Sequence, residues 1–183
     1  MRISSVLRSL PRVALALTST AACDDDRSKL DLSKIECWTG GATASAGEGE
    51  VQTGIAEPSF VPMEDEQQVT LHTGPQGLSH IFVSARVRDI ISGVEAENDT
   101  LPYVHFTAYL EDGTPAGALE CGTRLPFPVE TGDWSELANA RLLVFNEEGI
   151  SRAFDGPVQV RTEVLDCEGN YAIDEHWVQV VPP

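Results

Sequence analysis

Between residues 51 and 181 apolar and polar residues alternate in short runs, broken by clusters of Gly, Pro, Asn and Asp. Successive side chains of a strand point to opposite faces, so each run commits one face to a core and the other to solvent. Eight strands are expected, over 51–56, 68–73, 79–90, 103–111, 117–124, 140–145, 157–166 and 171–181. Val104, Phe106, Ala108 and Leu110, for example, alternate with Tyr103, His105, Thr107 and Tyr109. No window keeps a helical period; 134–143 comes nearest and reads as one short turn of helix. The expected fold is therefore all-β, an antiparallel β-sandwich of seven to nine strands over residues 51–183.

The stretch "TLHTGPQGLSHIFVSARVR" gives the sharpest local expectation. Pro75 suits the second position of a type I turn and Gly77 the left-handed residue after it. Gly74, Pro75, Gln76 and Gly77 thus predict a three-residue hairpin loop with a bulge, which sets Gly74 against Leu78, Thr73 against Ser79 and His72 against His80. Carried further, the register puts Leu71 against Ile81 and Val69 against Val83. Val69, Leu71, Ile81, Val83, Ala85 and Val87 then share one face. Thr70, His72, His80, Phe82, Ser84, Arg86 and Arg88 share the other. Glu111 to Pro115 is a second turn, with Asp112-Gly113 at its tight positions.

The last 27 residues read as a terminal hairpin of alternating valines around Asp-x-x-Gly. A three-residue loop at residues 168–170 pairs Val160 with Val178 and turns Trp177 outward near Arg161. A four-residue loop pairs Val160 with Trp177. The first is preferred because it keeps the valines on one face. This hairpin resembles the closing hairpin of immunoglobulin-like domains of the fibronectin III and PKD kind, which implies an immunoglobulin-like sandwich.

The amino terminus reads as an export signal over residues 1–22. Arg2, Arg8 and Arg12 precede a short apolar run, and Thr20-Ala21-Ala22 lead into Cys23. Small residues before a cysteine resemble the lipobox of bacterial lipoproteins, with Thr20 where that family usually has a larger aliphatic residue. The resemblance implies cleavage before Cys23 and acylation there; a plain secretory signal is the alternative. Residues 23–50 are acidic and then rich in Gly, Ala and Ser, the composition of a disordered tether, interrupted by the apolar island Cys37-Trp38. Lipidation implies a membrane partner, at the outer membrane or the periplasmic face of the inner membrane.

The chain carries 12 basic and 29 acidic residues, a net charge of −17. Loss of residues 1–22 removes three arginines and no acid, leaving 9 basic against 29 acidic residues, or −20. Such a chain is repelled by nucleic acid, which is excluded as a partner; envelope proteins or glycans are the expected ones. After Cys23 three cysteines remain, and export to an oxidising compartment predicts one disulfide. Cys121–Cys167 is favoured, since both sit beside turn residues in strand-rich sequence, with Cys37 able to displace either partner.

A further resemblance covers residues 50–90. Phe60-Val61-Pro62, an acidic stretch, Gly74-Pro75-Gln76-Gly77, His80 and Arg86 or Arg88 resemble a segment of uncharacterised bacterial envelope lipoproteins. Leu78 stands where a second glycine is usual. The family brings location and fold without an activity.

His72 and His80, opposed across the hairpin, could share a copper or zinc ion if a third ligand such as His105, His176, Met63 or a carboxylate reached them. The competing reading has His80 bracing the turn. Asp166-x-Glu168-x-Asn170 spaces oxygens as calcium loops do, but Gly169 falls at the fourth place, so a plain turn is preferred. The sequence lacks a Gly-x-Ser-x-Gly elbow, a phosphate loop, a dinucleotide fingerprint and His-Glu-x-x-His, and no cofactor is expected. Ser79 and His80 are strand neighbours facing opposite ways, so they cannot form a nucleophile–base pair. The expectation is a non-enzymatic binding or structural module of the cell envelope, with envelope metal binding through His72 and His80 as the alternative.

Overall fold

The computed structural model describes residues 49–56, 59–93, 100–118, 123–166 and 168–183. Cys23, Cys37, Cys121 and Cys167 lie outside them, as do residues 1–48 of the expected signal and tether, and with them the disulfide and lipidation expectations; the last residue of the expected tether, Glu50, already belongs to the first strand.

The described residues form an all-β fold. The strands are β1 (Glu50–Ala56), β2 (Phe60–Pro62), β3 (Gln68–Thr70), β4 (His72–Thr73), β5 (Ser79–Arg88), β6 (Tyr103–Leu110) and β7 (Pro115–Ala118). They continue as β8 (Thr123–Arg124), β9 (Val129–Thr131), β10 (Trp134–Glu136), β11 (Arg141–Phe145), β12 (Val158–Leu165) and β13 (Tyr171–Val181), with one helix, α1 (Glu147–Arg152). Seven of these strands have four or more residues and six have two or three.

Pairing runs β2-β1-β5-β11-β7-β6-β12-β13-β3. β3 then leads through Leu71 into β4, which pairs back onto β5, so the path of pairings returns to its own middle. The inward positions of these strands form one core that includes Ile81, Val83, Val104, Phe106, Leu143, Val158, Val160 and Val178, each under 2% exposed. β1 closes over this core against the last hairpin: the Thr53 hydroxyl lies 2.7 Å from that of Thr162, and the Thr53 amide donates to Asp174 at 2.6 Å.

The turn at Gly74–Gly77 forms as expected. Gly77 has φ +79°, the Gly74 amide donates to the Leu78 carbonyl and the Gly77 amide to that of Gly74, both at 2.9 Å. His72 stands against His80 and Thr73 against Ser79. The longer register does not follow. β3 leaves β5 and runs parallel to β13, with Val69 against Val180, and the Leu71 amide donates to the Val181 carbonyl. Val69 and Leu71 are buried either way, so the alternation is satisfied by both pairings, and the sheet is mixed rather than wholly antiparallel.

Two further expectations are corrected. The segment 134–143 holds no helix; it begins as β10, an edge ribbon with β9, and ends in β11. The helical turn comes later, where Asn146 caps α1 by accepting from the Gly149 amide at 2.7 Å. In the terminal hairpin Val158, not Val160, faces Val178, while Val160 faces His176 and Gln159 faces Trp177. The loop is closed one residue earlier, by the Asp166 amide donating to the Asn170 carbonyl at 3.0 Å. Asp166 imposes this: Oδ1 accepts from the Glu168 and Asn170 amides, both at 2.9 Å. Its Oδ2 accepts from Asn170 Nδ2 at 2.9 Å and from the Ile91 amide at 3.1 Å. Both oxygens are thus taken by N–H donors, as in a side-chain-braced turn and unlike a calcium loop.

Candidate functional site on the outer face of β5

The outward positions of β5 are His80, Phe82, Ser84, Arg86 and Arg88. Rings gather at the first two. His72 and His80 stack with centroids 6.1 Å apart and 28° between planes, and each lies 5.1 Å from the ring of Phe82. Nδ1 of His80 lies 3.3 Å from the Leu78 carbonyl oxygen, which can only accept, so Nδ1 carries the hydrogen and braces the turn. His80 is buried, while Leu78 on the loop is 51% exposed and Leu142, opposite Phe82 on β11, is 43% exposed.

Beside these rings the strand edge is open. Along this edge β4 pairs with Ser79 and His80, and β1 pairs with residues 84–88. Among the described residues no strand is registered against residues 81–83 there, because β3 has turned away to β13. Since the Leu78 carbonyl points to this edge, the period-2 alternation aims the Phe82 amide and carbonyl the same way. A cleft of about 170 Å³ lies there, lined by the apolar side chains of Ile55, Val69, Ile81 and Phe82 and by polar Gln68, Thr70 and His72.

At the other end of β5, Arg86 stacks over Phe60 at 4.8 Å and over Trp134 at 4.6 Å, while Arg88 lies 4.9 Å from Trp134. Arg86 also donates to Gln52 Oε1, at 2.9 Å from Nε and 2.6 Å from Nη2, and Arg88 donates to Glu50. The ladder ties β1, β2, β5 and β10 together. It accounts for the joint presence of Phe60 and Arg86 at the two ends of the 60–88 segment, a pairing with no local signal in the sequence.

The remaining histidines stand elsewhere. On the outer face of β6 and β12, Glu163 is 2% exposed, with His105 Nδ1 3.7 Å away. Arg161 donates to Glu163 at 2.9 Å and the Tyr171 hydroxyl at 2.5 Å. Burial alone would raise the Glu163 carboxyl, but His105, Tyr171 and Arg161 together outweigh it and hold it below the ordinary range. Burial and then Glu163 push the Tyr171 phenol up to about 12. His176 lies between two carboxylates, with Nε2 3.0 Å from Asp174 and Nδ1 3.7 Å from Asp65. Met63 is buried in the core. The fold therefore brings His72 and His80 together and keeps His105, His176 and Met63 in other clusters. Among the described residues no group of three His, Cys, Asp or Glu side chains is placed to hold a metal.

No helix among the described residues is long and apolar enough to cross a membrane. No protein-family model and no curated protein matches the chain.

Proposed function

We propose that this protein is an exported, lipid-anchored binding or structural module of the bacterial cell envelope, built on an immunoglobulin-like β-sandwich and without catalysis. The anchor rests on the arginines, apolar run and small residues that lead into Cys23. Packing of β1 across the core onto β12 and β13 supports the sandwich. One observation carries the binding role: half-exposed Leu78 and Leu142 flank the His72–His80–Phe82 rings beside an open cleft on a strand edge. Apolar surface grouped around a cleft with a few polar groups marks a recognition site. Envelope proteins or glycans are the partners, and nucleic acid is repelled by the acidic chain.

The test is recovery of envelope partners on the immobilised soluble domain, comparing wild type with Leu142→Glu and with Thr70→Arg, which fills the cleft. Loss of one and the same partner in both variants supports the reading; identical recovery from all three sinks this face as the binding site. A second reading, copper or zinc binding through His72 and His80, is favoured by their direct opposition across the hairpin. Calorimetric titration of either ion into wild type and His80→Ala decides it. Equal heats in the two, or none in either, ends that reading.

A further inference from the structure

An Asp-Gly bond is open to self-attack, because glycine puts no side chain between its nitrogen and the preceding carboxyl carbon. The nitrogen attacks that carbon in the protonated carboxyl, the amide proton leaves with the carboxyl hydroxyl as water, and a cyclic imide forms. Water then reopens the ring, and attack at the former main-chain carbonyl leaves the chain running through the side chain, an isoaspartate. Water is lost and regained, so no other reactant is needed. The sequence has two such bonds, Asp112-Gly113 and Asp155-Gly156.

The fold treats them differently. In the β6–β7 turn the Gly113 amide donates to the Leu110 carbonyl at 2.8 Å, which ties down the nucleophile. Asp112 Oδ1 accepts from the Thr114 amide at 3.0 Å, and Oδ2 accepts from Arg152 at 2.8 Å. Arg152 comes from α1, forty residues along; it bonds Asp112 through Nη2 and separately donates from Nη1 to Glu148 at 3.2 Å. These bonds, Arg152 first, keep the Asp112 carboxyl well below the ordinary carboxylate range, in the ionised form that resists attack. Asp155 has no such lock. Its amide donates to the Arg152 carbonyl at 3.0 Å, but among the described residues neither its carboxylate nor the Gly156 amide has a hydrogen-bond partner. Asp155 is also exposed.

We infer that Asp155-Gly156 is a site of spontaneous isoaspartate formation, and that Asp112-Gly113 is a second, latent site which Arg152 keeps closed. Conversion at Asp155 inserts a backbone methylene between α1 and β12, beside buried Ala153. Conversion at Asp112 does so inside the β6–β7 turn. The modification is independent of the binding role above.

The test is prolonged incubation of the full mature protein at neutral pH, with isoaspartate located by fragmentation mass spectrometry. In wild type it accumulates at residue 155 several-fold faster than at residue 112. Arg152→Ala raises the rate at 112 several-fold, and Glu148→Ala, which spares the Arg152–Asp112 bond, leaves it unchanged. Dissolving wild type in strong denaturant brings the two rates close together, a comparison that stands even if Arg152→Ala fails to fold. Equal rates in folded wild type, an unaltered rate at 112 in a folded Arg152→Ala protein, or a native-like ratio in denaturant each overturn the inference.

Discussion

Replacing Asp166 by alanine removes the side chain that sets the register of the last hairpin. Four N–H groups lose their acceptor: the Ile91, Glu168 and Asn170 amides and Asn170 Nδ2. The Glu168 amide lies at the exposed tip and is taken over by water, as is the Asn170 side chain. Ile91 and Asn170 are half-buried, and a donor left unmet away from water costs about 1–3 kcal/mol. The expected loss is about 2–4 kcal/mol, below the simple sum because the loop relaxes. With a urea dependence of about 2 kcal/mol per molar, the unfolding midpoint drops by about 1–2 M. Equilibrium urea unfolding followed by tryptophan fluorescence measures it. Asp166→Asn, which keeps one acceptor oxygen, falls between the two. A loss under about 0.5 kcal/mol, the range of ordinary surface changes, refutes the argument that Asp166 rather than the valine pattern fixes this register.

Acid sensitivity is expected to trace in part to Glu163. Its folded carboxyl titrates below the unfolded value of about 4.3, so its stabilisation is complete above that pH and is lost as the pH falls through the folded value. Urea midpoints of wild type should therefore fall more steeply from about pH 5 to about pH 3 than those of Glu163→Gln; parallel curves count against it. Tyr171 acts in the opposite sense, its stabilisation being present below about pH 10 and lost as the pH rises towards 12. Tyr171→Phe should flatten the alkaline limb of the same titration. Gly149→Ala should destabilise α1, because a Cβ there would sit 2.0 Å from the Ala116 carbonyl oxygen. Overpacking of this kind costs about 1–3 kcal/mol, a fall of about 3–10 °C in calorimetric Tm, and an unchanged Tm refutes the close approach.

The sequence exposed what is local. The bulged turn at Gly74–Gly77 and the opposition of His72 and His80 follow from loop length and two residue preferences. The buried faces of β5, β6 and β12 follow from period-2 alternation. What stayed hidden is what alternation cannot see. The terminal hairpin is shifted by two residues from the preferred register, and a shift of two keeps every valine on the same face. The observed register is the one in which Asp166 accepts four N–H bonds across the loop and from Ile91. The parallel pairing of β3 with β13 joins segments far apart in sequence, and Val69 presents the same face to either partner. The open edge beside Phe82 exists because of that departure, so the cleft was equally invisible. β9 and β10 have three residues each, too short for a periodic pattern, and the segment 134–143 read instead as one short turn of helix.

Cys23 is where the proposed lipid anchor is tested most directly. Intact-mass analysis of the protein from bacterial membranes should show a chain that begins at Cys23 and carries acyl groups, and Cys23→Ser should move the protein into the soluble fraction. A mature chain that begins at another residue, or a Cys23→Ser protein that stays with the membranes, contradicts a lipid-anchored module.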